Sequence, residues 1–173
     1  MNKLAHGKLL FFLCFLAVTM IVYAQYAFAA PQISTETTMQ ENIGPFPRGE
    51  ANTGYAQYFI GNSYLQPLVS KELSINNVTF EPGCRNNWHI HQASRGGGQI
   101  LLCTAGRGWY QEWDKPAQEL HPGNVVVIPA GVKHWHGAAK DSWFAHIAIE
   151  VPGENLKNEW LEAVGDADYQ KLP

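Results

Sequence analysis

The regular alternation of short β-rich segments with turn residues restricts the fold of this chain more than any other feature of its sequence. Three tripeptides are typical of turns: Glu81-Pro82-Gly83, His121-Pro122-Gly123 and Pro129-Ala130-Gly131. The β-rich segments are predicted strands: Tyr55–Ile60, Leu73–Glu81, Asn87–His91, Gln99–Ala105, Gly108–Trp113, Asn124–Ile128, Lys133–Ala138 and Ser142–Glu150. Short strands separated by turns, without helical crossovers, predict an all-β sandwich or barrel.

The two ends of the chain differ from this β-rich centre. Residues 30–54 are polar and contain several Pro and Gly residues, which predicts an extended N-terminal arm. Asn158–Val164 is predicted to be helical, and so is a second short piece that Asp166 could cap. The predicted organisation is a leader at 1–29, the arm at 30–54, one β domain at 55–152 and a C-terminal helical tail at 153–173.

The first 29 residues have the pattern of a secretory signal peptide. Lys3 and Lys8 provide the positive start, Leu9–Val22 the apolar segment, and Ala27-Phe28-Ala29 a cleavage site between small residues. The apolar segment is shorter than the roughly 20 residues that a membrane-spanning helix needs. We therefore expect an exported protein, periplasmic or secreted, that has no membrane association after cleavage. An uncleaved N-terminal anchor is the alternative.

Charge and cysteine content narrow the function classes. Lys and Arg number 12 against 15 Asp and Glu, so the chain lacks the basic excess that binding to a nucleic-acid backbone requires. Cys84 and Cys103 are the cysteines that follow the leader. They could form a disulfide only if their strands are neighbours, and two buried free thiols are the alternative.

Five histidines are arranged as metal ligands often are. His89 and His91 are two residues apart in a predicted strand, and His134 and His136 repeat this spacing. Side chains at positions i and i+2 project from the same face of a strand. His146 lies in the middle of another predicted strand. Burying so many imidazoles is costly unless they have partners, and a divalent metal satisfies several imidazole nitrogens at once.

The spacing around these histidines resembles the two motifs of the cupin family. The first motif is matched by Gly83, His89-Ile90-His91, Gln99 and Gly106, with Gln in the place of the usual Glu. The second is matched by Gly123, Pro129-Ala130-Gly131 and His134, with Ala138 in the place of the usual Asn. The segment before Gln99 is longer than the motif expects.

The resemblance implies a jelly-roll β-barrel, also called a double-stranded β-helix, with a metal bound by His89, His91, Gln99 and His134. It also implies a homodimer or a higher homo-oligomer. With Gln99 as a neutral ligand, the protein leaves the full charge of the ion uncompensated. Four protein ligands with further open positions suit Mn(II) first and Fe(II) next, and Zn(II) is a third candidate.

Three segments are similar to a subgroup of small bacterial cupins that includes manganese-dependent (R)-hydroxynitrile lyases. These segments are Val78–Gly83, Thr104–Trp109 and His134–Ala138. The resemblance implies a metal-dependent lyase that reversibly cleaves cyanohydrins to an aldehyde and cyanide. His146 would then be the general base with His136 assisting.

Two other functions fit the same site. One is an Fe(II) or Mn(II) enzyme that acts on a small oxygenated substrate, either as a dioxygenase, which is an oxidoreductase, or as an isomerase. The other is a periplasmic protein that binds a metal or a small molecule without turnover. The strand pattern also predicts seven residues facing the interior: Asn76, Val78, Phe80, Leu101, Trp109, Phe144 and Ala148.

Overall fold

The computed structural model describes residues 42–173, so the predicted leader and residues 30–41 of the predicted arm lie outside the described residues. The strands, numbered in chain order, are β1 (Glu50–Ala51), β2 (Phe59–Ile60), β3 (Ser63–Val69), β4 (Ile75–Phe80), β5 (Arg85–Asn86), β6 (His89–Gln92), β7 (Arg95–Gly96), β8 (Gly98–Gly106), β9 (Gly108–Glu112), β10 (Gln118–Leu120), β11 (Val125–Pro129), β12 (His134–Ala138), β13 (Phe144–Glu150), β14 (Gly153–Glu154) and β15 (Lys157–Trp160). A 3-10 helix covers Thr53–Tyr58, and one α-helix, α1, covers Asp166–Tyr169. The all-β prediction is confirmed.

Two antiparallel sheets contain most of these strands. The first has six strands in the order β1-β3-β4-β13-β8-β11. The second has seven strands: β10-β9-β12-β5-β2 form its main path, and β6 joins it by pairing with both β12 and β15. A separate two-stranded ribbon consists of β7 and β14. Because alternate side chains point to opposite faces of a strand, each sheet has one inner and one outer face.

The inner faces bury a mostly apolar core. On β11 the exposure alternates, so that Val126 and Ile128 are buried while Val125 and Val127 are exposed. The cluster of buried core residues comprises Val78, Phe80, Cys84, Leu101, Cys103, Tyr110, Leu120, Val126, Ile128, Ala138, Phe144 and Ala148. Cys84 and Cys103 are both buried free thiols, which answers the question that their spacing left open.

A second buried cluster holds the C-terminal tail to the protein. It consists of Trp88, Trp109, Trp135, Ala139, Val164 and Tyr169. The Tyr169 hydroxyl donates a hydrogen bond to the Ala138 carbonyl at 2.7 Å, and the Arg85 guanidinium lies 4.2 Å from the centre of the Tyr169 ring. Arg85 also bonds the Val164 carbonyl at 3.0 Å and forms an ion pair with Asp166.

The structure corrects three local predictions. The predicted strand Tyr55–Ile60 is mostly the 3-10 helix, followed by the short strand β2. The predicted helix Asn158–Val164 begins instead with strand β15, because its residues pair with β6. β3 was missed, since Pro67 interrupts its pattern, although it pairs with β4 on one side and β1 on the other.

The short C-terminal helix is present as α1, with Gly165 rather than Asp166 at its N-cap. Among residues 42–173, none of the helices has both the length and the apolar character needed to cross a membrane.

Candidate metal centre

Strands β6 and β12 bring the two histidine pairs together. The strands are antiparallel neighbours in which His89 lies opposite His134. The ring centroids of these two residues are 4.1 Å apart, and the His91 ring is 5.2 Å from His89 and 5.5 Å from His134. All three side chains are buried. The i, i+2 spacing therefore converges the imidazoles as predicted.

Each of these three imidazoles uses Nδ1 for a hydrogen bond to an oxygen atom. His89 Nδ1 bonds the Asn87 carbonyl at 2.9 Å, and His134 Nδ1 bonds the Val132 carbonyl at 2.9 Å. A carbonyl oxygen only accepts hydrogen bonds, so Nδ1 carries the proton and Nε2 keeps its lone pair. This tautomer is the one in which Nε2 can bind a metal.

Three buried acceptor atoms in the predicted ligand set have no hydrogen-bond partner: Nε2 of His91, Oε1 of Gln99 and Nε2 of His134. Gln99 is on β8, opposite Glu150 on β13. Leaving a buried polar atom unpaired costs roughly 1–3 kcal/mol, so three such atoms in one site require an explanation. A cation fits, because each of the three atoms offers a lone pair.

His136 and His146 belong to a different arrangement. His136 Nδ1 lies 3.1 Å from His146 Nε2, and the Asn86 side-chain nitrogen lies 3.1 Å from His136 Nε2. The Asn86 Oδ1 accepts the His136 backbone N–H at 2.9 Å, which turns the amide nitrogen of Asn86 toward the ring. One nitrogen each from His89, His134 and His136 also lie within 4.8 Å of one another. The nitrogens of His136 nevertheless have protein partners, whereas Nε2 of His91 and His134 do not.

Burial keeps the imidazoles of four histidines neutral: His89, His134, His136 and His146. Desolvation lowers the pKa of His134 to about 4 and that of His146 to about 3. The same cause, together with repulsion from neighbouring histidines, moves the pKa of His89 and His136 well below the usual range. Neutral imidazole is the form that binds metals and accepts protons.

A cavity of about 370 Å³ opens beside these histidines. One part of its wall is aromatic: the Trp160 ring stacks on His89 at 4.7 Å and on Tyr58 at 4.6 Å, and Tyr55 and Phe59 lie within 6.3 Å of Trp160. The cavity is lined by Asn52, Tyr55, Phe59, Leu65, Ser74, Asn76, Val78, Asn86, His89, His91, Gln99, His136, Ala148, Glu150, Asn158 and Trp160.

The lining residues agree only in part with the strand-parity prediction. Asn76, Val78 and Ala148 line the cavity. Phe80, Leu101 and Phe144 face the interior but are packed in the core. Trp109 is on the opposite side of its sheet, in the cluster with Trp135 and Tyr169, so its predicted inward orientation was wrong.

Sequence reasoning missed eight polar or aromatic residues of the cavity lining, among them Asn86, Glu150, Asn158 and Trp160. Asn158 and Trp160 were placed in a helix, whereas their strand β15 lies beside β6, with Asn158 opposite His91 and Trp160 opposite His89. The spacing of two between them is the signal that could have indicated a strand with one face on the site.

Comparison with known proteins agrees with this architecture. Residues 76–149 match the model of the cupin domain. The chain is 38% identical over 122 residues to an (R)-mandelonitrile lyase from Granulicella tundricola, across 68% of this chain and 90% of that protein. A crystal structure of a cupin-like protein from Thermotoga maritima is 41% identical, with a TM-score of 0.65, over 76% of this chain and 96% of that one. From its strands, its site and these matches we conclude that the chain belongs to the cupin superfamily.

Proposed function

We propose that this protein is a metal-dependent lyase that reversibly cleaves cyanohydrins to an aldehyde and hydrogen cyanide. The observation that carries the proposal is the set of unpaired acceptor atoms on His91, Gln99 and His134, with His91 and Gln99 in the wall of a cavity. The similarity to an (R)-mandelonitrile lyase supports this reaction among those that such a site could perform.

His89, His91, Gln99 and His134 are the proposed metal ligands. His136 is left out of the set because Asn86 and His146 occupy its ring nitrogens. Three imidazoles and an amide oxygen form a neutral donor set, which suits Mn(II), then Fe(II) and then Zn(II). When bound, the ion supplies Lewis-acid polarisation of a hydroxyl or nitrile group of the substrate.

His136 is the residue that we expect to accept the hydroxyl proton, at Nε2, where the substrate hydroxyl takes the place of the Asn86 amide donor. Its side chain lines the cavity, whereas His146 is fully buried behind it and contacts it at 3.1 Å. We therefore propose the two roles in the opposite order from that expected from sequence, with His136 at the substrate and His146 supporting it. The oxygen of the hydroxyl keeps the electron pair and forms the C=O bond as the C–C bond breaks. The C–C electron pair leaves with cyanide, which then takes the proton from His136.

The size and the wall of the cavity suit a small aromatic substrate. Its volume of about 370 Å³ is in the lower part of the range for ligand sites, roughly 300–1,000 Å³. An aryl ring can pack against Trp160, Tyr55 and Phe59, while the polar end of the substrate faces the histidines. Glu150 also lines this cavity, and a hydrogen bond with His91 lowers the pKa of its carboxyl. A neutral substrate is therefore favoured over an anionic one.

The test is cyanide release from racemic mandelonitrile by the purified protein loaded with Mn(II) under anaerobic conditions. His134→Ala is run in parallel, and His121→Ala serves as the matched control because that histidine is exposed and lies outside the cavity lining. We expect release well above the His134→Ala rate in the wild type and in His121→Ala, with one enantiomer consumed first. Equal rates in all three samples would refute lyase activity. A reaction that requires oxygen would favour a dioxygenase.

We also propose export and self-association, which rest on the leader pattern and on the resemblance. A physical argument supports a second copy of this chain as the partner. Within residues 42–173, β11 is an edge strand that pairs with β8, and its outward-facing Val125 and Val127 are 59% and 67% exposed. Exposed β-branched residues on an unprotected edge favour pairing with another strand.

A further inference from the structure

The surroundings of His91 differ from those of His89 and His134, the other two imidazoles of the proposed ligand set. His89 and His134 are held by the backbone carbonyls of Asn87 and Val132, each two residues earlier in the chain. His91 is held by side chains: its Nδ1 lies 2.8 Å from Asn158 Oδ1 and 3.4 Å from Glu150 Oε1. Asn158 comes from β15 and Glu150 from β13, so two separate elements meet at this nitrogen.

The contact between Asn158 and Glu150 determines the orientation of the Asn158 amide. Asn158 Nδ2 donates to Glu150 Oε1 at 3.1 Å. The reversed amide would turn its carbonyl oxygen toward a carboxylate, and two acceptors would repel each other. With the nitrogen on Glu150, the oxygen of Asn158 faces His91 and can only accept. The proton of His91 must therefore be on Nδ1, which leaves the lone pair on the buried, unpartnered Nε2.

We propose that Glu150 and Asn158 are positioning residues that hold His91 in the Nδ1–H tautomer with Nε2 directed at the metal centre. The inference rests on the proposed function, because it assumes that His91 is a ligand. Glu150 does not bind the ion in this scheme and acts through Asn158 and His91. It is the carboxylate among the residues that line the cavity.

The negative charge of Glu150 gives the pair Glu150 and Asn158 a second effect, on the strength of His91 Nε2 as a metal donor. The proposed donor set is neutral, so none of its members offsets the charge of a divalent ion. A carboxylate that polarises the Nδ1–H bond makes Nε2 a stronger donor, and such outer partners are typically worth about 10–100-fold in metal affinity. β15 therefore contributes to the metal centre although none of its residues is a proposed ligand.

The first test measures the His91 tautomer in the metal-free protein by ¹⁵N NMR of the imidazole nitrogens. The variants are Glu150→Gln, which keeps the shape and removes the charge, and Asn158→Leu, which removes the acceptor. Glu154→Gln is the matched control, since Glu154 is exposed and pairs with Arg95. We expect the Nδ1–H form in the wild type and the control, and a mixture of tautomers in the other two variants.

The second test measures Mn(II) affinity of the same four proteins by competition with a chelator, with circular dichroism to verify folding. We expect a loss of about 10-fold in Glu150→Gln and of about 10–100-fold in Asn158→Leu, with no loss in Glu154→Gln. The proposal stands only if Glu150→Gln changes both the tautomer and the affinity. An unchanged value in either measurement, or the Nε2–H form in the wild type, overturns it. Failure of the wild type to bind Mn(II) would instead refute the proposed metal centre, and the tautomer result would still be interpretable.

Discussion

Acid should unfold the metal-free protein at a pH well above that at which carboxylates are protonated. Four imidazoles, those of His89, His134, His136 and His146, are buried with their pKa values lowered, chiefly by desolvation. In the unfolded chain each would titrate near its ordinary pKa of about 6.5. Between that value and the lowered one, the unfolded chain binds more protons than the folded protein. The part of the free energy of unfolding that depends on the neutral imidazoles is therefore fully present above about pH 6.5 and is lost as the pH falls.

The size of the effect follows from the linkage relation. One imidazole that stays neutral in the folded state reduces the free energy of unfolding by about 2 kcal/mol between pH 7 and pH 5. Four such groups give a loss of about 8 kcal/mol, an upper limit that assumes no proton enters the folded site. Domain stabilities are about 5–15 kcal/mol, so a loss that approaches this limit would bring the protein close to unfolding at pH 5.

Urea unfolding in the presence of EDTA at pH 7, 6 and 5 and constant ionic strength measures this loss. The substitution His146→Leu should reduce the loss of unfolding free energy between pH 7 and pH 5 by about 2 kcal/mol, because a leucine of similar size takes up no proton. His121→Ala, which removes an exposed imidazole, is the control and should leave the loss unchanged. A total loss below about 2 kcal/mol in the wild type would refute the conclusion that several neutral imidazoles are buried together.

Two further outcomes follow from the fold. Burial raises the pKa of Cys84 to about 12 and that of Cys103 to about 11. Both thiols should therefore resist labelling by a thiol reagent at pH 8 and react only after unfolding. Rapid labelling of the native protein would contradict the buried position of the two cysteines. If β11 pairs with a second copy, Val127→Lys should convert a dimer to a monomer in sedimentation, whereas Val69→Lys, at an exposed position on a different strand, should not.

The sequence pattern was sufficient to predict the fold class and the grouping of His89, His91 and His134. Turn residues at Pro129-Ala130-Gly131 and the i, i+2 spacing of His89 and His91 are local signals, since they depend on the backbone geometry of a few neighbouring residues. The same geometry predicted that the imidazoles share a face, and β6 and β12 confirm this.

Long-range pairing accounts for what the sequence pattern did not indicate. The segment containing Asn158 has apolar and polar residues that suit a helix, yet it is a strand because β6 offers it backbone hydrogen bonds. A local pattern carries no information on a partner 67 residues away, which is the separation between His91 and Asn158. For the same reason, the sequence pattern could not separate His136, whose ring nitrogens have hydrogen-bond partners, from His91 and His134, whose Nε2 atoms have none. The partners of His136 come from neighbouring strands. Which imidazoles are free to bind a metal depends on hydrogen bonds that tertiary packing forms.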